Sequence, residues 1–245
     1  MPLKALSVKP SRSEQAYEAI KEAIQSLVFR PGEFLAIGNL ADQLEISRTP
    51  VRDALIMLEH DGLVRMVPQK GVYVSEITVE DIRQMYELRI VLERYAIRVA
   101  TGNLTQDELD SLEKDLEETK YVTEQGGSAQ VSDSGRRLHD ILVQKVANKW
   151  ITSCLEDLDI HYARIRGFAA IIPGRLKRSQ EEHRKILTAL KKEDADSAEK
   201  ALIEHLTSVR EEILLNIAVW MDYMKGNVQT EDPPLGLFSH LSAQS

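Results

Sequence analysis

Six histidines occur in the chain, and three of them fall on apolar stripes of helix-periodic segments. His139 stands with Leu142, Val143 and Val146, His183 with Ile186, Leu187 and Leu190, and His205 with Leu202, Leu206 and Val209. A single histidine on such a stripe is most often a hydrogen-bonded core residue. Three on three helices can instead converge in a bundle cavity, where neutral imidazoles hold a divalent cation. Their separation along the chain leaves convergence open, and ligand type does not distinguish zinc, nickel and manganese. His60, His161 and His240 sit in no comparable pattern. Arg89 and Glu93 also interrupt an apolar stripe, formed by Ile82, Met85, Tyr86, Leu92 and Ala96. A structural ion pair at i, i+4 accounts for them. The functional alternative is that Arg89 points into the cavity and clamps the carboxylate of a small effector. Tyr162 and Arg164 are further candidates for that role.

A second constellation is Ser47-Arg48-Thr49-Pro50-Val51-Arg52. Arg48 and Arg52 share one helical face, opposite the apolar face of Val51, Ala54, Leu55 and Leu58. Hydroxyls at a helix N-terminus, here Ser47 and Thr49, join free backbone N–H groups in binding phosphate. Arginine is the side chain shaped for bidentate pairing with guanine O6 and N7. On an arbitrary helix two arginines are only a solvated face, so the surrounding elements decide.

Those elements form an ordered set. A helix is expected from about Ser11 to Val28, stopped by Arg30-Pro31-Gly32. A short helix near Ile37–Leu44 and a tight turn lead to a third, N-capped by Ser47 with Pro50 in its first turn. Leu63–Val67 and Gly71–Ser75 read as two strands joined by a hairpin turn through Pro68, Gln69 and Lys70. This is the winged helix-turn-helix order, whose third helix enters a major groove while the hairpin reaches neighbouring DNA. Lys70 and Gly71 lie at that hairpin tip. From Thr78 the pattern is all-helical, with helices near 78–101, 105–124, 134–147, 149–170, 174–192 and 195–224. The reading is a mainly α chain with three parts. Residues 1–76 form a DNA-binding domain, 77–224 an antiparallel helical bundle, and 225–245 an irregular tail. Gln125-Gly126-Gly127-Ser128 is expected to be a flexible break.

Composition agrees and excludes other classes. The 245 residues carry a formal charge of −8, yet residues 1–75 hold nine basic and nine acidic side chains. The acidic excess therefore lies in the second part, and a neutral first part with clustered arginines can still bind phosphates. One cysteine, Cys154, excludes an internal disulfide and any multi-cysteine zinc site. There is no apolar leader and no run of about 18 apolar residues, so a cytoplasmic location with no membrane contact is expected.

The chain resembles the GntR superfamily of bacterial transcription regulators. The resemblance rests on Pro31-Gly32, Leu40-Ala41, Ser47 through Leu55, Leu58-Glu59, Asp61 through Val64 and Gly71 through Val74. The later segments Leu88-Arg89, Leu92-Glu93, Leu138-His139, Ala147-Asn148, Glu182-His183, Ala189-Leu190 and His205 are similar to its FadR branch with an FCD-type domain. The resemblance implies a homodimer on palindromic double-stranded operator DNA, with Arg48, Thr49 and Arg52 facing the DNA. It implies that the bundle at 77–224 is the effector-binding and dimerisation domain, with a small organic acid as effector. It also implies a metal held by three histidines, at His139, His183 and His205, and by one aspartate, whose position is Gly135 here. Gly38 stands where some members carry a further DNA-contacting arginine. Two alternatives remain open at this point. One is a dedicated metal sensor. The other is a metal-dependent hydrolase fused to the helix-turn-helix, against which stands the absence of an HExxH-type motif.

Overall fold

Ser11 opens α1 (Arg12–Gln25) with a capping box. Its hydroxyl accepts the Glu14 N–H, and the Glu14 carboxylate accepts the Ser11 N–H. Ala16, Ile20 and Ile24 recur four apart, so one stripe of the helix is buried. That stripe packs on α3 (Arg48–His60), where Val51, Ala54, Leu55 and Leu58 are all at 0% exposure. Burying each of the three larger side chains contributes roughly 1.5–3 kcal/mol. The Tyr17 hydroxyl donates to Asp61 at 2.5 Å and fastens α1 to the end of α3.

Between them run β1 (Phe34–Leu35) and α2 (Ile37–Gln43), and after α3 come β2 (Val64–Val67) and β3 (Gly71–Val74). The sheet is antiparallel in the order β1-β3-β2, with Phe34 and Arg65 both opposite Tyr73. The hairpin was expected and the two-residue β1 was not. Gly71 has φ +105°, and a Cβ there would lie 2.5 Å from the Phe34 ring. The absence of a side chain at 71 is therefore what lets β1 close on β3.

The second unit opens at Thr78, whose side chain and Asp81 form a capping box for α4 (Val79–Ala100). There follow α5 (Gln106–Glu124), α6 (Ala129–Gln144), α7 (Lys149–Ile171), α8 (Arg175–Lys191) and α9 (Ala195–Met224). α9 packs between α4 and α8, α5 against α6 and α8, and α7 against α4 and α6. Ile82, Leu138, Leu142, Ile186, Leu202 and Leu206 fill the interior that these helices share. α6 begins five residues earlier than the expected Ser134, so Gly135 stands inside a helix rather than in its first turn. Glycine there costs about 1 kcal/mol relative to alanine, which raises the question of what needs the missing side chain.

The computed structural model describes residues 10–124 and 129–224, and contacts divide it into one unit up to Ile77 and another from Thr78. The break at Gln125–Ser128 and the tail at 225–245 lie outside the described residues. No helix among the described residues is long and apolar enough to cross a membrane.

Candidate metal centre and nucleic-acid interface

In the first unit Ser47 occupies the N-cap position of α3, but its side chain makes no capping hydrogen bond. Ser47, Arg48, Thr49 and Arg52 are exposed on the outer face of α3, and Pro50 is half-buried. The Arg48 guanidinium lies against Gly38 of α2, where a Cβ would sit 3.5 Å from Nη2. Lys70 and Gly71 are exposed at the hairpin tip. A groove-sized helix with two arginines at its N-terminal end and a flanking basic hairpin is thus present in one unit.

In the second unit His139 of α6, His183 of α8 and His205 of α9 come together. One ring nitrogen from each lies within 4.8 Å of the others, and all three side chains are buried. His139 Nδ1 donates to the Glu93 carboxylate of α4. His205 Nδ1 donates to Glu182 of α8 at 2.7 Å. With Nδ1 carrying the proton, Nε2 of each ring keeps its lone pair. The Nε2 atoms of His183 and His205 are 3.1 Å apart, a spacing open to two nitrogens that each bind one ion at about 2.0–2.1 Å. Burial first, and then the neighbouring imidazoles and arginines, push the His183 and His205 pKa values well below the usual histidine range. Both rings are therefore neutral at physiological pH, the form in which imidazole ligates a metal.

Each of the two glutamates is itself gripped by an arginine. Glu93 pairs with Arg89, and Glu182 pairs with Arg175. Burial alone raises the Glu93 pKa, but Arg89 and His139 outweigh it and hold the carboxyl at about 2. Two Arg–Glu–His chains thus enter the centre from α4 and from α8. Such carboxylate–histidine pairs fix ring orientation around metals, so the residues present fit a divalent cation. Gly135 closes the third side. A Cβ at that position would lie 2.8 Å from His183 Cε1, so the glycine makes the room the imidazole occupies.

A cavity of about 70 Å³ adjoins the three rings. Arg89, Tyr162, Arg166, Arg175 and Gln180 stand on its wall. Arg89 lies 4.1 Å from the centre of the Tyr162 ring, and the Tyr162 hydroxyl meets that of Tyr86 at 2.5 Å. Arg89 thus both pairs with Glu93 and faces the cavity, so the ion pair and the cavity position expected as alternatives coexist. Arg164, expected beside Tyr162, is not on this wall. It is 1% exposed, and burial lowers its pKa to about 10 against the attraction of Asp81. Two residues turn an α-helix by about 200°, whereas Arg166, four residues after Tyr162, shares its face.

Arg166, Arg175, Glu182 and Gln180 were missed by reasoning from sequence. Glu182 and Gln180 had a usable signal, because they flank His183 on the helix that carries it. Arg175 had a weaker one, since Ser179 and Glu182 follow it at i+4 and i+7 on α8 while its other partners, Ser208 and Glu212, come from α9.

Residues 12–74 match the model for bacterial regulatory proteins of the gntR family, and residues 84–208 match the FCD domain. The HTH-type transcriptional regulator YdhC of Bacillus subtilis is 30% identical over 194 residues, which span 78% of this chain and 86% of YdhC. The HTH-type transcriptional repressor RspR of Escherichia coli is 27% identical over 203 residues, covering 82% of this chain and 88% of RspR. Among solved structures, E. coli McbR/YncC superposes with a TM-score of 0.69 at 27% identity, covering 88% of this chain and all of that one. These relatives are regulators rather than enzymes, which removes the hydrolase alternative. With a gntR-type helix-turn-helix followed by an FCD domain, the chain belongs to the GntR family of transcriptional regulators.

Proposed function

We propose that this regulator binds operator DNA as a homodimer through α3 and the hairpin, and that its FCD domain senses a small carboxylic acid at a divalent metal held by His139, His183 and His205. The observation that carries the proposal is the pair of Arg–Glu–His chains converging on three buried imidazoles beside a small cavity. The metal, when bound, supplies positive charge and open coordination positions for an acid. Arg89 supplies a guanidinium at the wall, Tyr162 a ring that holds Arg89 in place, and Glu93 and Glu182 the orientation of two ligands. In support of the homodimer, Leu88, Val91 and Tyr95 form an exposed apolar stripe on α4 at i, i+3 and i+7, the spacing of a helix-pairing seam. The acid acts by favouring one arrangement of the paired DNA-binding units, which requires unequal affinity for the two states.

Two variants test separate parts of this reading. Arg52→Ala should cost roughly 1–3 kcal/mol on the preferred operator and relax selectivity at one base pair. The check is binding to a panel of single-base operator variants. An equal loss on random DNA would reduce Arg52 to a phosphate contact. Gly135→Asp adds a carboxylate one helical turn before His139, and the new Cβ, 2.8 Å from His183 Cε1, requires that ring to shift while it stays at the centre. The expected result is tighter metal binding in the absence of acid and a smaller gain when acid is added, measured by competition with a chromogenic chelator. Unchanged metal binding and unchanged gain would mean that position 135 does not face the metal.

A further inference from the structure

Gln180 is 6% exposed and stands on the wall of the histidine cavity. Its Nε2 is buried and has no hydrogen-bond partner among the described residues. A buried amide donor without an acceptor is costly, and native structures rarely keep one without a use. The other donors nearby differ. Arg89 faces Glu93, Arg136 faces Asp140 and Asp159, Arg166 faces Asp159, and Arg175 faces Glu182 and Glu212. The cations on the wall are already paired, and the donor left over is neutral. It sits three residues before His183 on α8, and therefore on the face of the helix that carries the ligand.

We infer that Gln180 selects the effector by donating to an uncharged oxygen beside its carboxylate, so that the acid is a short 2-hydroxy or 2-oxo acid rather than a plain alkanoate. A neutral amide pairs with a hydroxyl or carbonyl oxygen without bringing a second uncompensated charge into a buried site. A site built to hydrogen-bond a ligand oxygen discriminates against the analogue that lacks it, because the protein donor is then left unpaired. The cavity of about 70 Å³ sets the size, favouring acids of few heavy atoms. This inference rests on the proposed acid-sensing role of the cavity.

The test is calorimetric titration of the full chain, loaded with nickel(II), with propionate, lactate and pyruvate. Lactate or pyruvate should bind the native chain about 10-fold more tightly than propionate, the effect of one hydrogen bond. Gln180→Met keeps the length of the side chain and removes the donor. It should bring the preferred acid to within about 2-fold of propionate while propionate itself stays unchanged. The melting temperature of Gln180→Met should not fall, because an unpaired buried amide has been removed, and Gln180→Leu gives the same reading if the methionine packs poorly. A preference that survives both substitutions overturns the inference, as does equal binding of the three acids to the native chain. Failure of all three acids to bind would overturn the acid-sensing role together with it.

Discussion

Glu93→Ala should destabilise the FCD domain by about 3–5 kcal/mol, the range for removing one partner of a buried ion pair. Glu93 is 2% exposed and accepts from Arg89 on its own helix and from His139 on α6. Without it the Arg89 guanidinium stays buried with no carboxylate, and His139 Nδ1 loses its acceptor. For a unit of this size the loss corresponds to a fall of roughly 6–20 °C in melting temperature. Arg94→Ala is the control. Arg94 pairs with Glu199 at 2.7 Å but is half exposed, and such pairs contribute about 0–1 kcal/mol. Freeing the His139 ring should also weaken metal binding about 10–100-fold. A Glu93→Ala protein that melts with the native chain would mean that Arg89 and His139 find other partners. Equal metal affinity would mean that His139 needs no anchor.

The contrast between these two ion pairs also marks what the sequence could reveal. Arg89 and Glu93 announced themselves by breaking an apolar stripe, while Arg94 one residue on sat on a polar face. The three histidines were conspicuous for the same reason. Their convergence was not, because it depends on how α6, α8 and α9 pack, and no local pattern encodes the distance between His139 and His183. The arginine-bearing face of α3 was the most legible part. Ser47 through Leu58 carries the N-cap position, the proline, the arginine face and the buried face within one short helix. β1 was invisible, since two residues carry no periodicity and Phe34 becomes a strand only by pairing with Tyr73. The misplacement of Arg164 was avoidable, because helical spacing from Tyr162 points to Arg166. The early start of α6 was missed because Ser134 and Gly135 are weak helix formers at the expected start, whereas the helix runs through them from Ala129.

His183→Ala combined with His205→Ala should abolish specific metal retention, since it removes two of the three proposed ligands and leaves His139 alone beside Glu93. The same double variant should still bind DNA, because α3 and the hairpin belong to the unit that ends at Ile77. The two properties therefore separate in one protein. Loss of both together would point to general unfolding, and the circular dichroism melt distinguishes that case.

The most direct test of the account is the affinity of the full chain for a duplex it selects from a random pool, measured by fluorescence anisotropy. It is read without metal, with nickel, and with nickel plus lactate or pyruvate. The account predicts that acid in the presence of metal shifts the dissociation constant about 5–150-fold, the usual span of allosteric coupling. It also predicts that the His183→Ala/His205→Ala chain binds the duplex with no shift under any of these conditions. A full shift from metal alone, with nothing added by acid, would instead make the protein a metal sensor. Identical affinity in every condition, native chain and double variant alike, would contradict the claim that the histidine cavity governs binding to DNA.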